Sequence, residues 1–202
     1  MLKIGLTGGI GTGKSSVSTI MRDRGADLID ADLLGHEAYS IGTSGWHQVV
    51  KVFGDHILAT DGSIDRGSLG RIVFRDRAEM VRLNNVLHPI IYEILKDKVR
   101  QVQEDGSAVV VVEAAVLIEA QWQSLFDQVW VVKSDEETVI KRLLGRNGFD
   151  RNEACKRIVS QMSESERLAY ADVIIDNNGT LEELEMSVKY LWNKQTIGII
   201  RS

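Results

Sequence analysis

The 202-residue chain carries one cysteine, Cys155, and one proline, Pro89. A lone cysteine forms no internal disulfide, so the fold has to rest on its core, and a reducing compartment such as the cytoplasm is expected. No uninterrupted apolar run of roughly 18 residues occurs, so no membrane span is predicted. The apolar start up to Gly9 is too short for a signal-peptide core and lacks a small-residue cleavage site. An excess of basic charge is also missing: 24 Lys and Arg face 29 Asp and Glu, for a net charge of −5. A broadly basic nucleic-acid surface is therefore not expected, whereas a local cluster for phosphates remains compatible with the balance. Internal repeats, low-complexity tracts and Ser/Gly linkers are absent too. At 44% hydrophobic and 26% charged residues, the composition supports a packed core and excludes a mainly disordered chain.

Short apolar strands alternate with amphipathic helices. Strands are predicted at 2–7, 26–30, 109–112, 129–132 and 173–175. The four consecutive valines from Val109 to Val112 suit a central parallel strand buried on both faces. A helix is predicted over 15–24, with Val17, Ile20 and Met21 on one face. Ser134 with Glu137 and Thr180 with Glu183 have capping-box spacing, and Asp150 with Glu153 is an acidic variant. Five strands separated by helices imply a parallel sheet covered on both faces. One interval is too long for a single crossover. Residues 33–106 read as a helical insertion, in which Pro89 is expected to start or kink a helix.

The sharpest motif is Gly8-Gly9-Ile10-Gly11-Thr12-Gly13-Lys14-Ser15. It meets the phosphate-loop spacing between a strand and a helix, which implies the P-loop NTPase fold and binding of ATP or a related nucleotide. Glycines let the backbone turn its N–H groups toward phosphate, and the helix start adds positive potential. Lys14 suits the β- and γ-phosphates, and the Ser15 hydroxyl suits Mg²⁺. Such a loop serves switches, motors and small-molecule kinases alike. No Asn-Lys-x-Asp stretch for guanine occurs, and the chain is small for a motor.

A kinase also needs an acceptor site, a group that handles the acceptor hydroxyl, and arginines over the transferred phosphoryl group. Asp30-Ala31-Asp32 follows the second strand, at the ligand edge of a parallel sheet. Asp32 is expected to orient or deprotonate the hydroxyl, or to hold Mg²⁺ through water. Along an extended chain Asp30 and Asp32 would point to one side; an N-cap for a helix from Leu33 is the competing reading. Glu113 ends the valine strand, where a carboxylate can hold a Mg²⁺-bound water. Arg142 and Arg146, with Gly145 and Gly148 between and beyond them, suggest a phosphate-binding lid. Arg151 and Arg157 are candidates of the same kind. Asn177-Asn178-Gly179 follows the last strand, where a loop approaching the nucleotide base and a plain left-handed turn are alternatives. Cys155 lies among helix-patterned residues with no paired histidine and is not a nucleophile candidate. Core packing is expected for most of Trp46, Trp122, Trp130 and Trp192.

The ordered set TGGIGTGKSS, IDAD, FGDHIL, DGSIDRGSLGRIVF, LNNVLHPII, EAAVLIEAQW and ADVIIDNNG resembles the dephospho-CoA kinase family over residues 3–192. The variant with Ala115 is more similar to the kinase half of the eukaryotic bifunctional CoA synthase, although the chain has no room for the adenylyltransferase half. Ser16 replaces a frequent threonine, another small hydroxyl. The resemblance implies phosphorylation of the ribose 3′-hydroxyl of dephospho-CoA by ATP with Mg²⁺. It implies nucleotide contacts from Gly9, Ile10, Gly11, Thr12, Gly13, Lys14, Ser15, Ser16, Arg142, Arg146, Asn178 and Gly179. Catalytic roles fall to Asp32, Lys14 and Arg142, and acceptor contacts to Thr7, Asp32, His88, Leu117 and Glu119. It also implies one kinase domain, with a core over about 1–32 and 107–202, the acceptor-binding insertion over about 33–106 and the lid over about 142–163. A nucleoside monophosphate-type kinase and a nucleotide-hydrolysing switch protein are the alternatives.

Overall fold

A computed structural model describes residues 1–197, without the side chain of Asn147. Five parallel strands form one sheet: β1 (Leu2–Gly8), β2 (Asp27–Asp30), β3 (Val109–Glu113), β4 (Gln128–Lys133) and β5 (Val173–Asp176), in the order β2-β3-β1-β4-β5. Helices α1 (Lys14–Arg22), α2 (Ala31–Ala38), α3 (Ser44–Phe53), α4 (Arg66–Val73), α5 (Arg77–Glu104), α6 (Glu136–Asn147), α7 (Arg151–Val159), α8 (Glu164–Leu168) and α9 (Leu181–Thr196) fill the intervals. The predicted parallel sheet is observed, with strand ends within one or two residues. Val109, Val110, Val111 and Val112 are all fully buried, as a central strand covered on both faces requires.

The chain divides into two compact units, Met1–Asp30 with Arg100–Ser202, and Ala31–Val99. In the first, Ile4, Leu6, Val17, Met21, Trp130, Val188 and Trp192 share one core against the sheet. Three of the four tryptophans, at positions 122, 130 and 192, are buried, whereas Trp46 is half-buried. Cys155 packs at the margin of a smaller cluster of Val139, Ile140, Leu143 and Ala154. In the second unit, Val49, Ile57, Leu69, Leu87, Ile91 and Leu95 are buried.

Several local expectations are corrected. Ser134 does not cap α6: the N-cap is Asp135, without a side-chain hydrogen bond, because the Ser134 hydroxyl is turned to Asn177 O at 2.7 Å. Asp150 and Thr180 do cap, and Thr180 with Glu183 closes the full reciprocal box. Pro89 starts no helix; it lies inside the 28-residue α5. Asp30 and Asp32 do not alternate along an extended chain, since α2 begins at Ala31 and puts Asp32 in its first turn. Gly179 is not in the left-handed region. A Cβ there would meet Glu183 Oε2 at 2.0 Å, so the capping carboxylate itself requires the missing side chain.

Candidate active site

β1 delivers the chain into the glycine loop, and α1 leaves it. Gly13 is the N-cap of α1 in the left-handed region, at φ 96° and ψ 26°. A Cβ at Gly13 would lie 2.1 Å from Asn177 Nδ2, so glycine is needed here for both conformation and space. Asn177, buried in the loop after β5, donates through Nδ2 to Thr12 O at 2.8 Å. The Thr12 hydroxyl donates to Gly9 O at 2.9 Å. Lys14 Nζ donates to Gly8 O at 2.9 Å and Gly9 O at 3.2 Å, which holds its ammonium at the β1 end of the loop.

Around the loop, Arg142 of α6 is a four-way brace. Its NH1 donates to Ser134 Oγ at 3.0 Å and reaches Gly11 O at 3.4 Å and Thr12 O at 3.5 Å, and its NH2 donates to Asn177 O at 2.9 Å. Arg146 is exposed in the last turn of the same helix. Asn178 Oδ1 accepts from the Asp135 N–H at 2.7 Å and so ties the β5 loop to the start of α6. Nearby, burial opposes ionisation of Asp176, but the Lys133 ammonium at 3.1 Å and the Asn178 N–H outweigh it and hold the carboxyl below its usual range. Arg151 pairs with Glu137 and pulls that carboxyl down by hydrogen bonding, which links α7 to α6. Arg157 lies over the Phe149 ring at 4.9 Å and pairs with Glu153 at 3.3 Å.

Glu113, at the end of β3, is held by two serines of α1. Ser15 Oγ donates to Oε1 at 2.9 Å and Ser18 Oγ donates to Oε2 at 2.6 Å. A hydroxyl and a carboxylate converging in this way are hard oxygen donors suited to Mg²⁺. Among the described residues no group of three or more His, Cys, Asp or Glu gathers as a metal cluster; Mg²⁺ needs none, because it takes most of its ligands from water and phosphate.

The remaining candidates separate by unit. Thr7 and Leu117 belong to the first unit and are fully buried. Leu117 is a packing side chain, since a Cβ on Gly5 would meet its Cδ1 at 2.6 Å. The Thr7 hydroxyl accepts from Arg167 NH1 at 3.5 Å. Arg167, 2% exposed, also donates to Ala115 O at 3.3 Å, Met162 O at 3.4 Å and Glu119 Oε1 at 3.0 Å. Glu119 is thus an ion-pair partner of a buried arginine. Asp32 and His88 belong to the second unit: Asp32 is exposed on the first turn of α2, and His88 is half-buried on α5. His36, one turn after Asp32 on the same face of α2, meets the Tyr39 hydroxyl at 3.0 Å. Burial and then the Arg66 charge lower its pKa.

Ser18, Gln161 and Arg167 were not singled out from the sequence. Ser18 follows Ser15 by three positions, a helical spacing that aims both hydroxyls at one neighbour. Gln161 and Arg167 left no local signal, because their partners lie about 150 residues away in the chain.

Residues 2–183 match the family model described as dephospho-CoA kinase. The chain is 45% identical over 192 residues to a dephospho-CoA kinase of Geobacter sulfurreducens, covering 95% of this chain and 98% of that one. It is 40% identical over 191 residues to that of Carboxydothermus hydrogenoformans, covering 95% and 93%. The structure of dephospho-CoA kinase from Campylobacter jejuni superposes with a TM-score of 0.73 at 25% identity, covering 97% of this chain and 98% of that one. A shikimate kinase from Acinetobacter baumannii shares the fold, with a TM-score of 0.55 at 15% identity over 96% of this chain and 94% of that one. With its loop, sheet order and nearly full-length matches in agreement, the chain belongs to the dephospho-CoA kinase family.

Proposed function

We propose that this chain transfers the γ-phosphoryl group of ATP to the ribose 3′-hydroxyl of dephospho-CoA, giving CoA and ADP in the last step of CoA biosynthesis. The observation that carries the reading is the glycine loop, whose lysine and helix start form a phosphate cradle in a chain of this family. Gly9, Ile10, Gly11, Thr12, Gly13, Ser15 and Ser16 supply its backbone and hydroxyl groups. Lys14 exchanges its carbonyl partners for β- and γ-phosphate oxygens, since a charged acceptor outcompetes a neutral one. Arg142 holds the loop in shape through Gly11 O, Thr12 O and Asn177 O, while Arg146 serves the phosphates. Asn178 and Gly179 border the base.

Ser15, with Glu113 acting through water, would hold Mg²⁺, which when bound neutralises charge on the β- and γ-phosphates. Asp32 accepts the proton of the attacking hydroxyl. Thr7, His88, Glu119 and the segment around Leu117 shape the acceptor site. The helical insertion over about 33–106 carries the acceptor, and 142–163 act as a lid. Among the described residues no helix is long and apolar enough to cross a membrane, and we place the activity in the cytoplasm. The deciding experiment is mass spectrometry after incubation with ATP, Mg²⁺ and dephospho-CoA. A gain of one phosphate on the 3′ oxygen is expected. Hydrolysis of ATP with unchanged dephospho-CoA would refute the reading.

A further inference from the structure

Gln161 lies in the turn after α7. Its backbone N–H donates to Ile158 O at 3.2 Å, and the carbonyl of the next residue, Met162, accepts from the buried Arg167 at 3.4 Å. The turn is thereby fixed on both sides. From it, Gln161 Oε1 accepts the backbone N–H of Ile10 at 2.7 Å, a contact spanning 151 residues of sequence. This bond settles which end of the carboxamide is the oxygen, because an N–H requires an acceptor. Nε2, with two donors, therefore faces the other way. Among the described residues it makes no hydrogen bond, and it is not sealed from solvent. Gln161 lines a cavity of about 550 Å³, together with Gly9, Ile10 and Thr12 of the loop, Ser134 and Arg167.

The position along the loop matters. The phosphate-loop lysine reaches the β- and γ-phosphates, and Lys14 Nζ sits on Gly8 O and Gly9 O, directly before Ile10. Gln161 is thus anchored on the residue directly after the two carbonyls that hold Lys14, so its amide is tied to the stretch of loop that the lysine serves. Donors fixed in advance where negative charge is held act without reorganisation.

The geometry points to Gln161 as a residue that contacts the terminal phosphoryl group, with Oε1 anchored on the Ile10 amide and Nε2 donating to a phosphoryl oxygen. This rests on the phosphoryl-transfer reading above and deepens it by assigning a γ-phosphate donor to the turn after α7. The test is calorimetric titration of the full chain with ATP and, separately, ADP, in Mg²⁺ and without acceptor, for the wild type, Gln161→Leu and Gln161→Glu. Loss of a hydrogen bond to a charged group is expected to weaken ATP binding by about tenfold or more in Gln161→Leu. Gln161→Glu, which keeps the acceptor but places negative charge at the phosphate, should weaken it further. ADP binding should change by less than about twofold in both, which also reports that the loop is intact. Unchanged or tighter ATP binding in Gln161→Leu would overturn the inference, and so would an equal loss for ATP and ADP. Wild-type chain that binds neither nucleotide would sink the underlying kinase reading, and this assignment with it.

Discussion

Replacing Gly13 by alanine should damage the loop in two separable ways. At φ 96° an L-residue is strained by about 1–2 kcal/mol. The new methyl would also sit 2.1 Å from Asn177 Nδ2 and expel an amide that donates to Thr12 O at 2.8 Å. Asn177 is 6% exposed, so its displaced amide would be left largely dry, while Thr12 O keeps only the longer contacts from Ser134 Oγ at 3.3 Å and Arg142 NH1 at 3.5 Å. That adds about 1–3 kcal/mol. The total is about 2–5 kcal/mol, or a melting temperature lower by roughly 5–20 °C at this chain length. Gly25 supplies the control: its φ is +92°, and nothing lies within 4 Å of the position a Cβ would take. Gly25→Ala therefore carries the backbone strain alone, about 1–2 kcal/mol. Urea titration and calorimetry of both variants, with Asn177→Ala and the double substitution, complete a mutant cycle. Removing Asn177 should make the second loss smaller than the first, because the methyl no longer has an amide to displace. A Gly13→Ala variant no less stable than Gly25→Ala, or strict additivity with Asn177→Ala, would refute the close-approach argument.

Three further outcomes are expected. Asp32→Asn should lower kcat by two orders of magnitude or more, the usual scale of a positioned general base, while the Kd for ATP stays within about twofold; rapid-quench turnover and ATP titration measure the two, and near-normal turnover would remove Asp32 from the mechanism. Arg167→Met should cost about 3 kcal/mol or more in urea unfolding, because it strands Glu119 and uncaps Thr7 Oγ1, Ala115 O and Met162 O; an Arg167→Met/Glu119→Gln pair should recover part of that loss. The Glu137 carboxyl is lowered by the Arg151 hydrogen bond, so its contribution to stability is present above the ordinary carboxylate range and is lost as pH falls through the lowered value; the unfolding midpoint of Glu137→Gln, followed from pH 7 downward, should fall less steeply than that of the wild type.

The centre of the sheet was legible because its strands there are buried on both faces. Such strands show as unbroken apolar runs, which is how Val109–Val112 and Val129–Val132 read in the sequence. The glycine loop and two of the helix starts were legible because each is a local rule, complete within eight residues or fewer. Ser134 shows where a local rule fails. It has the right partner three residues on, yet its hydroxyl goes to Asn177 O, 43 residues away, and α6 starts at Asp135 instead. Gly179 fails differently: its glycine is required by the Glu183 side chain rather than by a left-handed turn. Contacts between Gln161 and Ile10, or between Arg167 and Thr7, join polar groups from distant segments and leave no periodic mark on the chain.

The reason these distant polar residues gather at the loop follows from the loop itself. A backbone that turns its N–H groups toward phosphate turns its carbonyls outward, and each carbonyl near the core needs a donor. Gly9 O takes the Thr12 hydroxyl and the Lys14 ammonium. Gly11 O takes Arg142, and Thr12 O takes Arg142 and Asn177. Apart from the loop's own Thr12, the donors come from α1, from α6 and from the loop after β5, elements the parallel sheet brings to one edge. Part of what a sequence assigns to phosphate binding is therefore support for the cradle's shape. Lysine at position 142 would keep the charge but lose the planar fork that reaches Ser134, Gly11, Thr12 and Asn177 together. If shape is what Arg142 provides, Arg142→Lys should weaken ATP and ADP binding alike. The Gln161 substitutions, acting on a donor to the terminal phosphoryl group, should separate the two nucleotides.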